Sequence, residues 1–234
     1  MSLYAIGDLH FSTSVQKPMN IFGDKWYKHE EKIINSWKNN VKDEDVVLVL
    51  GDTSWGINLN EAKPDLDIIS NLPGNKIFIK GNHDYWWTTL SSMRKFLEEN
   101  NFKNIDFIYN NSYEYEGKII VGSRGWAQGE DEESKKILKR EAIRLELSIK
   151  DGIERFGEDK EIIAFMHYPP ISYHDIEKNI MNDFIKILKK YDIKRCYYGH
   201  LHSQAIKEAV EGNHYGIEFN LVSADGLDFK LKEI

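Results

Sequence analysis

Five short polar clusters in this chain could do chemistry: Asp8-Leu9-His10, Gly51-Asp52, Gly81-Asn82-His83-Asp84, His167-Tyr168 and Gly199-His200-Leu201-His202. The third is the densest. It places an amide oxygen, a titratable imidazole and a carboxylate side by side, after a glycine that lets the chain turn without a Cβ clash. Asp8 and His10 are two residues apart, as are His200 and His202. In an extended chain such residues point the same way, so each pair could grip one ion. With Asp52, Asn82 and His167 the donors are two aspartates, one asparagine and four histidines, and His83 is left over. Nitrogen and oxygen donors without sulfur suit Mn²⁺, Fe, Zn²⁺, Co²⁺ or Ni²⁺. Seven donors exceed the needs of one ion and suit two if a carboxylate is shared. Two ions roughly 3.5–4 Å apart can clamp the attacking and leaving oxygens of a phosphoryl displacement and ionise a bridging water.

Each cluster follows an apolar run that reads as a strand: residues 2–7, Val46–Leu50, Lys76–Lys80, Ile162–Met166 and Arg195–Tyr198. In α/β sheets functional groups gather at the carboxyl ends of strands. The intervening stretches predict helices over about 26–40 behind an Asp24 cap, 60–71 behind Asn60, 89–99, 132–156 and 176–190. The long fourth helix repeats Leu138, Ala142, Leu145, Ile149 and Ile153 at helical spacing. A strand near 105–109 is expected to return through 112–116 around an Asn110-Asn111 hairpin turn, followed by a strand over 118–122. A glycine-rich loop, 122–129, carries Arg124 and Trp126, and the tail, 204–231, reads as two or three antiparallel strands. Strands alternating with helices before a β tail predict an α/β fold with mixed sheets.

The chain has 234 residues, 41% hydrophobic and 29% charged, enough for a sizeable core. Scattered prolines and the lack of repeats or linkers predict a single domain over 1–234. No apolar run approaches the roughly 20 residues of a membrane span, and residues 2–6 carry no signal-like segment, so a cytoplasmic protein with no membrane partner is expected. The single cysteine, Cys196, excludes an internal disulfide and reads as a buried thiol. A net charge of −7 without a basic block makes a nucleic-acid partner unexpected.

Asp8-x-His10, Gly51-Asp52, Gly81-Asn82-His83-Asp84, His167 and Gly199-His200-x-His202 follow, in order, the motif series of the calcineurin-like metallophosphoesterases. From residue 8 to residue 202 the chain resembles that family. The resemblance implies a four-layer α-β-β-α sandwich of two mixed β-sheets flanked by helices, with a dinuclear centre. Carried over position by position, Asp8, His10, Asp52 and His202 would hold the first metal, and Asp52 would bridge to a second held by Asn82, His167 and His200. His83 would stay free of metal and protonate the leaving oxygen or stabilise the phosphoryl charge.

The second motif departs from the family. Where many members continue Gly-Asp-x-x-Asp-Arg, this chain reads Gly51-Asp52-Thr53-Ser54-Trp55-Gly56, so the carboxylate that orients the catalytic histidine and the phosphate-holding arginine are both missing. Asp84 is expected to help orient His83, and Arg124 to bind phosphate. The implied activity is hydrolysis of a phosphate mono- or diester of a small soluble substrate through a metal-bridging hydroxide, with two divalent transition-metal ions, Mn favoured. A nuclease and a non-catalytic interaction module on the same fold are the alternatives; filled ligand positions count against the second. Of the remaining histidines, His29 is placed on the polar side of its helix and His214 in the β tail, both without a role, while His174 follows the His167 loop. Trp55, Tyr85, Trp86, Trp87, Trp126, Tyr168 and Tyr173 are expected to pack the motif loops or to form an aromatic wall for a planar leaving group.

Overall fold

The computed structural model describes residues 1–127, 129 and 131–234. The chain forms two compact units, Met1–Phe107 with Val222–Ile234, and Ile108–Leu221.

In the first unit β1 (Leu3–Ile6), α1 (His29–Asn40), β2 (Val46–Leu50), α2 (Leu59–Ser70), β3 (Asn75–Ile79), α3 (Leu90–Glu99) and β4 (Ile105–Phe107) alternate along the chain. The four strands pair in parallel and in sequence order, with Leu3 opposite Val46 and Val46 opposite Asn75. Parallel strands covered by helices are buried on both faces, which explains the unbroken run Val46-Val47-Leu48-Val49-Leu50. Two of these helices start on capping side chains, whereas α1 begins after Lys28 with no side-chain cap and not behind the expected Asp24. The Asn58 side chain accepts the Glu61 N–H at 3.1 Å and the Thr89 hydroxyl accepts the Ser92 N–H at 3.3 Å, so the second helix is capped two residues before the expected Asn60.

Lys76 in β3 is 1% exposed. Its ammonium donates to the carbonyls of Leu72 and Ser70, the latter at 3.4 Å. Burial pushes its pKa down from 10.5 to about 8. Between those values the unfolded chain holds the proton and the folded chain does not, so stability must rise with pH across that window. The amplitude is roughly 3 kcal/mol. Urea midpoints measured from pH 7 to 10.5 should therefore climb more steeply for the wild type than for Lys76→Met; parallel curves would contradict the assignment.

The second unit contains β5 (Tyr113–Tyr115), β6 (Lys118–Ser123), α4 (Glu132–Phe156), β7 (Glu161–Met166), α5 (Tyr173–Glu177), α6 (Asp183–Lys190), β8 (Arg195–Tyr198), β9 (Gly212–His214) and β10 (Ile217–Leu221). Its strand order is β5-β6-β7-β8-β10-β9; the inner four are parallel and the two edges antiparallel. The last strand of the chain, β11 (Lys232–Glu233), belongs to the first unit and pairs antiparallel with β1. The expected α/β fold with two mixed sheets flanked by helices is thus observed. In α4 the small residue Gly152 lies against β6, where a Cβ would fall 2.4 Å from Ile119 Cγ2. No helix among the described residues is long and apolar enough to cross a membrane.

Three local expectations are corrected. Asn110-Asn111 is not a hairpin turn: β4 pairs with β3 and β5 with β6, and the chain leaves one unit for the other at this point. The hairpin is instead the β5–β6 turn at Glu116-Gly117, both residues having positive φ. The helix expected over 176–190 is two helices, because Ser172 and Asp175 form a capping box, Asn179 takes φ 51° and Asn182 caps a fresh start. The tail is only partly antiparallel: β10 runs parallel to β8, and residues Ser203–Glu208 form a 3₁₀ turn. Gln128 of the glycine-rich loop lies outside the described residues.

Candidate metal centre

In the first unit the loops after β1 and β2 are joined by backbone hydrogen bonds. Asp8 N–H donates to Gly51 O at 2.9 Å, His10 N–H to Asp52 O at 2.8 Å and Trp55 N–H to Phe11 O at 2.9 Å. Asp84, fully buried, ties the third loop to the second. It accepts Gly81 N–H at 2.7 Å, Asp52 N–H at 2.9 Å, Thr53 N–H at 2.8 Å and the Trp86 indole N–H at 3.0 Å. These bonds make Asp84 a positioning anion for the loops that carry Asp52 and His83. Gly81 is required by close approach: a Cβ there would lie 2.1 Å from Asp52 Oδ1.

Asp8, His10 and Asp52 are all buried, and Asn82 is half-buried in the loop after β3. Asp8 offers one ligand atom within 4.8 Å of one from His10, and one within 4.8 Å of one from Asp52. His10 Nε2 lies 3.8 Å from Asp52 Oδ2, and the His83 N–H donates to Asp52 Oδ1 at 2.8 Å. The expected reason for the Asp8–His10 pairing is corrected. Neither residue is extended; Asp8 has φ 61°, His10 φ 49° and Asp52 φ 49°. Left-handed backbone in such loops is tolerated best by Asp, Asn and His among side-chain-bearing residues, and it clusters where function demands a particular side-chain direction.

The second unit brings its own donors together. Gly199 N–H donates to His167 O at 3.0 Å and Tyr168 N–H to Arg124 O at 2.9 Å, joining the loops after β6, β7 and β8. The rings of His167 and His200 lie 5.0 Å apart at 72°, and Tyr168 covers His200 at 4.0 Å. His200 also has positive φ, 73°, and His202 is half-buried two residues on. Arg124 stacks on Trp126, 4.5 Å from its ring centre, and contacts buried Glu141 at 3.5 Å; burial lowers its pKa from the usual guanidinium value.

The donor chemistry fits divalent metal. Buried carboxylates are costly unless a positive charge compensates them, and imidazole with carboxylate is the set that first-row divalent ions accept. The aromatic residues divide by exposure. Trp55, Trp86, Trp87 and Tyr168 are buried packing, whereas Tyr85 and Tyr173 are exposed at 60% and 46%.

His29 corrects its expected place. It is buried, with Nε2 3.2 Å from the His10 carbonyl and its ring 5.3 Å from that of Trp26. His29, Ile33 and Trp37 share one helical face at i, i+4 and i+8, a periodicity that identifies this histidine as core-facing. Its burial lowers its pKa. His174 is exposed.

The family model for calcineurin-like phosphoesterases matches residues 1–204. The chain belongs to that family. Like other calcineurin-like phosphoesterases, it carries aspartate and histidine clusters suited to divalent metals. It is 30% identical, over 126 residues, to the uncharacterized protein MJ1445 of Methanocaldococcus jannaschii, a match covering 51% of this chain and 67% of that protein. Among solved structures it is similar to AQ665, a protein of unknown function from Aquifex aeolicus, with TM-score 0.53 and 21% identity over 99% of this chain and 95% of that one. It is also similar to TT1561 of Thermus thermophilus, with TM-score 0.57 and 13% identity over 99% and 97% of the two chains. At these identities the structural likeness is one of fold.

Proposed function

We propose that this calcineurin-like phosphoesterase hydrolyses a phosphate mono- or diester of a small soluble substrate with two divalent transition-metal ions, manganese favoured. The observation that carries the reading is the buried Asp8–His10–Asp52 set of the first unit, with His83 hydrogen-bonded to the same Asp52 carboxylate. Asp8, His10, Asp52 and His202 would hold one ion, and Asp52, Asn82, His167 and His200 the other. Such ions, when bound, supply Lewis acidity toward phosphoryl oxygens and lower the pKa of water.

The chain's own residues do the rest. Asp52 fixes the backbone of His83 through the 2.8 Å bond to its N–H. The His83 imidazole then stands at the rim of this set, half-buried, where it can deliver a proton to the departing oxygen. Asp84 acts through the loops rather than on substrate. Arg124 is the phosphate-binding arginine of this proposal; Trp126 and Glu141 hold its guanidinium in a fixed plane.

The test is hydrolysis of a chromogenic phosphate monoester and its diester counterpart by Mn²⁺-loaded and chelator-treated protein. Metal-dependent turnover supports the reading, and the preferred ester separates phosphatase from phosphodiesterase. Metal binding without turnover on either ester, or on DNA and RNA, would favour an interaction module instead. Arg124→Ala with unchanged KM would remove Arg124 from the substrate site.

A further inference from the structure

The second motif lacks its carboxylate and arginine, and the structure shows what stands there. Gly56, at the arginine's position, has no room for any side chain: a Cβ would lie 2.5 Å from Ala62 N and 2.8 Å from Glu61 C. The first turn of α2 closes that position to any side chain, an arginine included. Trp55, at the carboxylate's position, presents its indole to two site histidines. Its ring centre lies 4.6 Å from that of His83 and 4.9 Å from that of His10, the latter nearly parallel at 21°. The indole is 7% exposed, and its N–H donates to Met19 Sδ at 3.3 Å. It is therefore a rigid plate rather than a mobile lid.

On this plate lies a cation. Lys17 Nζ is 3.6 Å from the Trp55 ring centre. Lys17 is exposed, and among the described residues no carboxylate pairs with its ammonium. Its loop, Ser12–Pro18, lines an open cavity of about 570 Å³. The base of that loop is pinned: Thr13 N–H donates to buried Asp65 Oδ1 at 2.9 Å, and Ser12 N–H to Glu30 Oε1 at 3.0 Å. Asp65 also receives the hydroxyl of Ser54, one residue before Trp55. One buried carboxylate thus positions both the lysine loop and the tryptophan. A cation held over an indole keeps its charge and its outward N–H donors, and an ammonium is an effective point-charge ligand for phosphate.

We infer that Trp55 and Lys17 together replace the absent carboxylate–arginine pair: the indole positions the His83 ring by contact, and the Lys17 ammonium binds the phosphoryl oxygens of the substrate. This rests on the phosphoesterase reading above. It makes Lys17 a substrate-binding residue supplied by a loop outside all five motifs, and Trp55 a positioning residue.

The test compares Mn²⁺-loaded wild type with Lys17→Ala, Lys17→Arg, Trp55→Ala and Trp55→Phe in three measurements: bound metal, inorganic phosphate affinity by calorimetry, and steady-state kinetics on the preferred ester. Lys17→Ala should weaken phosphate binding and raise KM by about tenfold with kcat nearly unchanged, and Lys17→Arg should recover most of the loss. Trp55→Ala should lower kcat by about 30-fold or more, while Trp55→Phe keeps a ring against His83 and most of the rate. Phosphate affinity within twofold of wild type in Lys17→Ala overturns the lysine's role. Trp55→Phe as slow as Trp55→Ala, at equal metal content, overturns the tryptophan's. A wild type that neither binds phosphate nor turns over ester sinks the phosphoesterase reading and this inference with it. An active wild type with indifferent variants sinks this inference alone.

Discussion

Asp52→Asn is expected to lower ester hydrolysis by about 10³-fold or more while leaving the fold in place. The replacement is nearly isosteric. The amide oxygen can still accept the His83 N–H that Asp52 Oδ1 receives at 2.8 Å, and the Asp52 main chain keeps its bonds to His10 and Asp84. What disappears is a negative charge in a site where Asp52 is 2% exposed and its other oxygen faces His10 Nε2 at 3.8 Å. A buried anion beside an imidazole donor attracts a divalent ion, and neutralising it weakens both proposed metal positions at once. Metal content by atomic emission, a urea midpoint and kcat on one sample separate the causes. A variant with wild-type stability, depleted metal and lost turnover is the expected outcome. Full activity at full metal content would remove Asp52 from the chemistry.

Asp84→Ala is expected to be the most damaging change to stability, by roughly 4 kcal/mol. Four buried N–H groups converge on this carboxylate, from Gly81, Asp52, Thr53 and the Trp86 indole, at 2.7–3.0 Å. Truncation leaves them without their acceptor, and each unsatisfied buried donor costs about 1–3 kcal/mol. Relaxation and entering water keep the sum below simple addition. Because the same bonds hold the Asp52 loop to the His83 loop, hydrolysis should fall with stability. Chemical denaturation and turnover at low temperature, where the variant is still folded, measure the two effects. A loss of less than about 1 kcal/mol would show that the loops are held by something else.

Both residues belong to motifs that are visible in the chain, yet their different jobs are not. Asp52 and Asp84 are each an aspartate in a glycine-led turn at a strand end, and nothing in composition distinguishes the proposed ligand from the anchor. The distinction is made by direction. Asp52 turns its carboxylate toward His10, while Asp84 turns inward onto backbone N–H groups. His29 is the opposite case, since its core position follows from a periodicity with Ile33 and Trp37. Lys17 carries no signal at all, because its role depends on the ring it covers.

The five strand-end clusters, the alternation of strands and helices, the family and the gap at Trp55-Gly56 are already specified by the order of residues along the chain. These are local properties: side-chain type, apolar periodicity and spacing survive in one dimension. Folding in three dimensions was needed to fix the parallel register of the strands, the separation of β4 from β5, the split of the helix expected over 176–190, and the left-handed turns that aim Asp8, His10 and Asp52. The same holds for the closure of space at Gly56 by α2 and for the indole, bearing a lysine, that stands against His83. Such outcomes depend on contacts between residues distant along the chain. They are set by packing and by the hydrogen-bond partners that buried groups must find, and no local pattern encodes them.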